Sequence, residues 1–205
     1  MRKSLKSLRD PDAFAKAKRA LAALQQQEDQ GQSALDYFAE AGCALDPTIP
    51  SAGQEPKSVI ALPARKYGRI KVLGLMHRQN DLHPFLCEGS RPTGVVIACV
   101  DAFCQTLTQK TVVVMDKASI HRSEAFEDRI PSWKKQGLII TYLPPYAPEL
   151  NLIEILWRRI NYTWLPFSAY ACLNALIEAL EDILSQVGSK YQITFAYCDR
   201  QQRME

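Results

Sequence analysis

The almost wholly apolar run KTVVVMD constrains this chain more than any other stretch. A strand that offers valine and methionine to both of its faces has to be covered on both, which places it in the middle of a sheet with helices above and below. A second apolar run, LIITYLP, follows the helix-like SEAFEDRIPSWKKQG, so strand, helix and strand alternate and the two strands are expected to pair in parallel. The resulting class is mixed α/β. Asp116 closes the first run and stands at the carboxyl edge of the sheet, the usual place for sites in such folds. The plainer alternative is a carboxylate that caps the next turn.

With 205 residues, 47% of them hydrophobic, the chain can bury one ordinary core. Its 25 basic and 22 acidic side chains are too balanced to diagnose a nucleic-acid partner, so any DNA surface has to be a local patch. The cysteines at 43, 87, 99, 104, 172 and 198 lack the close paired spacing of a zinc or dithiol site. They read as buried or idle thiols in a reducing compartment. The basic start MRKSLKSLRDPDAF lacks the apolar run of a signal peptide, and no stretch has the length of a membrane span. A cytoplasmic protein with no membrane partner is expected.

Asp10 and Pro11 form a helix start, and Phe14, Ala17, Leu21 and Leu24 recur at helical spacing up to the polar QQQEDQGQS. Three short β-rich runs follow, LDYFAEAGCAL, KSVIALPA and IKVLGLMHR, and suggest an antiparallel meander. RPTGVVIACVDAFCQTL then fits a helix with Val95, Val96, Cys99, Val100 and Phe103 on its apolar face. Beyond the second parallel strand, PELNLIEILWRRINYTWL and AYACLNALIEALEDILSQV read as two closing helices. The expected division is a basic leader and helix over 1–30, the α/β domain over 31–196 and a polar tail over 197–205. This order implies a mixed five-stranded sheet flanked by helices, three antiparallel strands then two parallel, and by itself leaves several α/β folds open.

The remaining chemistry lies in LPPYAPELNLIEILW. Its prolines stop the preceding strand, and Pro148 is placed to open a helix that carries Asn151 and Glu154. Spaced i to i+3, those two share a helical face, while Leu152, Ile155 and Leu156 form the buried stripe. A solvated glutamate is the commoner fate of any single Glu on such a helix. Taken together with DKASIH after the central strand, however, the run LPPYAPELNLIE closely resembles a signature of the mariner superfamily of DDE/DDD transposases. The nearest branch in that resemblance is the bacterial insertion-sequence group numbered six-thirty, whose catalytic domains pair a DNASIH strand end with LPPYSPELNPIE. The likeness extends from about residue 10 to about residue 195.

The resemblance implies an RNase H-like fold and an acidic triad that holds two Mg²⁺ or Mn²⁺ ions for DNA strand cleavage and strand transfer. Asp116 and Glu154 take two of the triad's places as catalytic, metal-binding residues. The first place belongs to an aspartate in the first strand, ahead of a glutamate, a small residue and glycine. Here YFAEAGC puts Ala39 in that place. Strand alternation sends Leu35, Tyr37 and Ala39 to one face and Asp36 and Glu40 to the other, so neither acid substitutes without a bulge, and Asp46 reads as a turn residue. Two-metal chemistry needs hard oxygen ligands that keep the ions about 4 Å apart. Alanine has no ligand atom, so this chain is expected to be inactive. Survival of the rest of the signature favours a single inactivating substitution over long decay.

Near the site, Lys117 stands where the family has asparagine; it is read as a partner of Asp116, a phosphate contact or a solvated lysine. His121 matches the histidine of the SIH run, and Asn151 completes the near-site set. Arg65, Lys66, Arg69 and Lys71 cluster at one predicted hairpin, and Arg158 and Arg159 follow Glu154; phosphate contacts from such groups position DNA without reading its sequence. The resemblance also implies double-stranded DNA as partner, both transposon ends and a target with TA expected. It further implies a second copy of the chain as a dimer on DNA, and N-terminal helix-turn-helix modules; since one helix precedes the first strand here, end recognition is expected to be encoded elsewhere, in an upstream reading frame joined by frameshifting or in a part lost by truncation. The setting would be a bacterial, nucleoid-associated one. The rival reading is a non-catalytic, transposase-derived DNA-binding, assembly or repressor protein, which Ala39 favours. A stand-alone RNase H-like nuclease or resolvase is a third, against which LPPYAPELNLIE speaks.

Overall fold

A computed structural model describes residues 8–45, 68–88, 93–117 and 123–195. Strands β1 (Ala34–Ala44), β2 (Arg69–His77) and β3 (Leu82–Glu88) form an antiparallel meander, and β4 (Thr111–Met115) and β5 (Leu138–Tyr142) are added in parallel beside β1. The sheet order is β3-β2-β1-β4-β5, the RNase H-like arrangement of three antiparallel strands followed by two parallel ones.

Every residue of β4 is buried, as its unbroken apolar run requires. Val112 and Val114 enter one core, and Val113 and Met115 the other. The first face is covered by α1 (Pro11–Asp29), α5 (Ile153–Arg159) and α6 (Leu173–Ser185), through Leu21, Ile153, Trp157, Leu176 and Leu180. The second is covered by α2 (Thr93–Cys104), α3 (Glu124–Glu127) and α4 (Ile130–Lys135), through Val96, Val100, Phe103, Phe126 and Trp133. Each fully buried side chain of this size contributes about 2 kcal/mol, so the two cores clamp the sheet and fix the strand register.

α1 starts where the sequence sets it: the Asp10 carboxylate accepts from the backbone N–H groups of Asp12 and Ala13 at 2.9 and 3.2 Å. It continues through QQQED to Asp29, because Gln and Glu are good helix formers. The KSVIALPA run lies outside the described residues. Among the described residues the meander's third strand is β3, which hydrophobic periodicity does not reveal because Pro84 interrupts it; proline is admitted there because β3 is an edge strand. The helix expected across SEAFEDRIPSWKKQG is divided into α3 and α4, since Pro131 cannot donate to the preceding turn.

The segment from Pro148 departs furthest from expectation. A 3₁₀ turn over Pro148–Leu150 is followed by Asn151 in an extended conformation (φ −97, ψ 103), and only then does α5 begin. Asn151 and Glu154 therefore do not share a face of one helix. The buried stripe of α5 is Ile153, Leu156 and Trp157, with Leu152 and Ile155 only partly buried. After Arg159 the helix widens into a π turn over Ile160–Trp164. Trp157 packs so closely on β2 that a Cβ at Gly74 would lie 2.9 Å from its ring, which is why glycine stands at that point of the sheet.

Candidate active site

β1 and β4 set the frame of the site. Their parallel register pairs Asp36 with Val113 and Tyr37 with Val114, and continuing it places Ala39 beside Asp116. Leu35, Tyr37, Ala39 and Ala41 belong to the core under α5, whereas Phe38 belongs to the opposite one, so the alternation expected for β1 holds. Asp116 follows β4 with the parity of Val112 and Val114 and faces the α5 side.

Asp116, Lys117, Asn151 and Glu154 line one concavity, closed by the loop from Leu143 to Pro148. Glu154 projects from the first turn of α5 and is half-buried. Its carboxyl group is held above the ordinary range, first by burial and then by the negative charge of Asp116, while Arg158 one turn later works in the opposite direction. The two carboxylates are thus brought together and repel one another. Asn151 is buried; its side-chain N–H donates to the Phe38 carbonyl at 2.9 Å, and its Oδ1 is buried with no hydrogen-bond partner. That bond ties the lead-in of α5 to β1 immediately before Ala39.

The basic residues divide. Arg158 and Arg159 are exposed on α5, and Arg158 lines a second concavity together with Glu40, Gly42 and Glu154. Arg69 is exposed at the start of β2 and runs along Gly42. Lys71 is half-buried, with its ammonium 3.4 Å from a Glu40 oxygen, so its charge is engaged within the protein. Arg65, Lys66 and His121 lie outside the described residues.

Among the described residues, no three His, Cys, Asp or Glu side chains are grouped to hold a metal ion. The Asp116 and Glu154 oxygens suit a single hard cation. They do not suit a two-ion arrangement, to which Ala39 adds no oxygen. The thiols do not substitute: burial pushes Cys43 and Cys104 up to about 11 and Cys99 up to about 12, so all three stay protonated and poor as ligands.

Sequence reasoning singled out Asp116, Glu154 and Asn151, but passed over Tyr146 and Tyr162, which border these two concavities. Tyr146 stands inside LPPYAPELN, but nothing in its neighbours signals the positive φ of 60 that it adopts.

A family model described as DDE superfamily endonuclease matches residues 44–177, a span that includes Asp116 and Glu154 and begins beyond Ala39. No curated protein gives a significant match. Among solved structures, the catalytic domain of Mos1 mariner transposase is similar with a TM-score of 0.55 at 10% identity, over 86% of this chain and 82% of that one. The Mos1 mariner paired end complex with Mn gives 0.55 at 11% identity, over 86% and 56%. The Mos1 transposase paired-end complex with left transposon end gives 0.54 at 11% identity, over 86% and 55%. The chain therefore spans little more than half the length of the transposase in those complexes, and at these identities the likeness is one of fold.

Proposed function

Because the chain belongs to the DDE superfamily endonucleases, we propose that it is the catalytic domain of a mariner-superfamily, cut-and-paste transposase of bacterial group six-thirty, with Ala39 in the first acidic place and cleavage lost as a result. The observation that carries this reading is the meeting of Asp116 and Glu154 in one concavity, where burial and then the charge of Asp116 raise the Glu154 carboxyl. A fold interested only in stability has no use for two facing carboxylates, whereas a cation site needs them.

Asp116 and Glu154 would be the residues to hold Mg²⁺ or Mn²⁺, which when bound would supply activation of a nucleophile and stabilisation of a leaving oxygen. This chain's own residues offer oxygens at the end of β4 and in the first turn of α5, while Asn151 holds the lead-in of α5 against β1. Lys117, Arg69, Arg158 and Arg159 are available for phosphates. Support for a metal and for DNA comes from the neighbour's structures, which contain Mn and a transposon end. Transfer into TA, a dimer on DNA and a helix-turn-helix module encoded upstream belong to the same proposal. A second reading, a non-catalytic DNA-binding or repressor protein derived from a transposase, is favoured by Ala39 alone.

The test is cleavage of a transposon-end duplex at high concentration with Mn²⁺. Ala39→Asp is expected to cleave, and the unaltered chain is not. Ala41→Asp is expected to stay inert, because residue 41 shares the face but lies roughly 7 Å further along the strand. Cleavage by the unaltered chain, or an inert Ala39→Asp with ends and metal supplied, overturns the triad assignment.

A further inference from the structure

Among the described residues, the exposed large hydrophobic side chains are Leu8, Tyr146 and Tyr162. Both tyrosines border concavities that meet at Glu154. Tyr146, 45% exposed, lines the one that contains Asp116. Tyr162, 44% exposed, lines the one that contains Arg158 and also a neighbouring one with Arg158 and Arg159.

Neither tyrosine is where default local structure would put it. Tyr146 holds φ at +60, a left-handed backbone that glycine or asparagine accepts far more easily than a bulky aromatic. Strain of this kind concentrates at ligand-contacting positions. Tyr162 stands on the π turn Ile160–Trp164, a distortion that shifts it out of the register of α5 and that recurs at functional sites. A turn and a solvated helix end would be served as well by polar side chains.

The chemistry around the rings selects their ligand. Arg158 and Arg159 are exposed beside Tyr162, so the surface offers cations for phosphates and aromatic faces within the same groove. That combination fits a single strand, whose bases are free to stack, and not a paired duplex, whose bases are already stacked on one another. We propose that Tyr146 and Tyr162 are base-stacking platforms on either side of Glu154, which hold the unpaired nucleotides that flank the phosphate addressed by Asp116 and Glu154. The preferred ligand is DNA with a frayed or mismatched segment. The proposal rests on the DNA reading above and adds the strand state that the site takes.

Fluorescence anisotropy tests it with the full chain and no metal, on a fully paired duplex and on the same duplex with a short mismatched stretch. The unaltered chain is expected to bind the mismatched DNA about tenfold tighter. Tyr146→Ala and Tyr162→Ala are each expected to reduce that ratio by about fivefold, while Tyr146→Phe and Tyr162→Phe retain it, since stacking needs the ring and not the hydroxyl. Arg158→Ala is expected to weaken binding to both DNAs and leave the ratio intact. Equal affinity for the two DNAs, an unchanged ratio in both alanine variants, or its loss in the phenylalanine variants overturns the platforms alone. Failure to bind either DNA at low salt overturns the DNA reading as well.

Discussion

The two ends of the first half of β1 handle charge in opposite ways. At its start, Asp36 pairs across the sheet with His77, the His77 Nε2 lies 2.7 Å from Glu28, and Arg78 meets both Glu28 and, at 2.5 Å, Asp29. Cations and anions interleave there and fasten the end of α1 to the turn that leaves β2. At Ala39 the parallel register continues to Asp116, and there burial and then the charge of Asp116 hold the Glu154 carboxyl up, with Arg158 opposing. One end interleaves opposite charges, and the other brings two carboxylates into one concavity. The contrast supports the proposal that the second end is the functional one, on grounds separate from the motif.

The largest effect that would sharpen this contrast is a metal response created at the Ala39 end. Without metal, Ala39→Asp adds a third carboxylate to a repelling pair and is expected to lower stability. With Mn²⁺ at a hundredfold over its dissociation constant, binding returns about 3 kcal/mol, read as a rise in melting temperature of several degrees. The unaltered chain is expected to respond much less. An equal response in both proteins would show that residue 39 is not a ligand position.

Next in size is Gly74→Ala. The added methyl would sit 2.9 Å from the Trp157 ring and 3.2 Å from Ile153, so α5 has to move away from the sheet, at a cost of about 1–3 kcal/mol. Urea unfolding measures that cost. Because Glu154 moves with α5, the same change placed in Ala39→Asp is expected to shrink the Mn²⁺ response. Loss of stability with the metal response intact would separate the packing of α5 from the geometry of the acidic end.

How much of this was legible in the sequence follows from which interactions set each part. The central position of β4 and its parallel pairing with β5 were legible because burial on both faces demands an unbroken apolar run, and the side of Ala39 was legible because strand alternation is strict. β3 was not, since an edge strand needs neither a continuous pattern nor a full set of donors, and Pro84 removes one. The break at Asn151 was not legible either: Asn, Leu, Ile and Glu continue a helical pattern, and only the tertiary bond from Asn151 to the Phe38 carbonyl draws the backbone out of it. Glu154 was singled out from its motif, whereas Tyr146 and Tyr162, which line the proposed groove, were not, because exposure and a positive φ leave no periodic trace.

At the paired end of β1, Glu28→Gln is expected to cost about 2 kcal/mol in urea unfolding, since it removes the anion shared by His77 and Arg78; that figure lies below the cost of breaking a fully buried pair because Arg78 retains Asp29. DNA affinity should not change. A loss of DNA binding equal to that of Arg158→Ala would mean that the two ends are not separate in function.

The smallest expected effect, and the one that tests whether the paired end is wholly paired, concerns Asp36. Burial raises its carboxyl from 3.8 to about 6, with His77 opposing and Glu28 and Asp81 adding to the rise. A carboxyl raised in the folded state binds its proton more tightly there than in the unfolded chain. Its contribution is therefore fully present below about pH 3.8 and is lost as pH rises through about 6. Above that range the ionised, buried group weighs against the fold. The shift alone would correspond to about 3 kcal/mol, but ionised Asp36 also helps to keep His77 protonated, and that benefit disappears with it. Asp36→Asn is therefore expected to stabilise the protein by about 1 kcal/mol at pH 8 and to make no difference at pH 3.5, as measured by urea midpoints across that range. If Asp36→Asn instead destabilises the protein at pH 8, Asp36 is a full member of the ion-pair cluster with Glu28, and the start of β1 carries no charge that the fold has not matched.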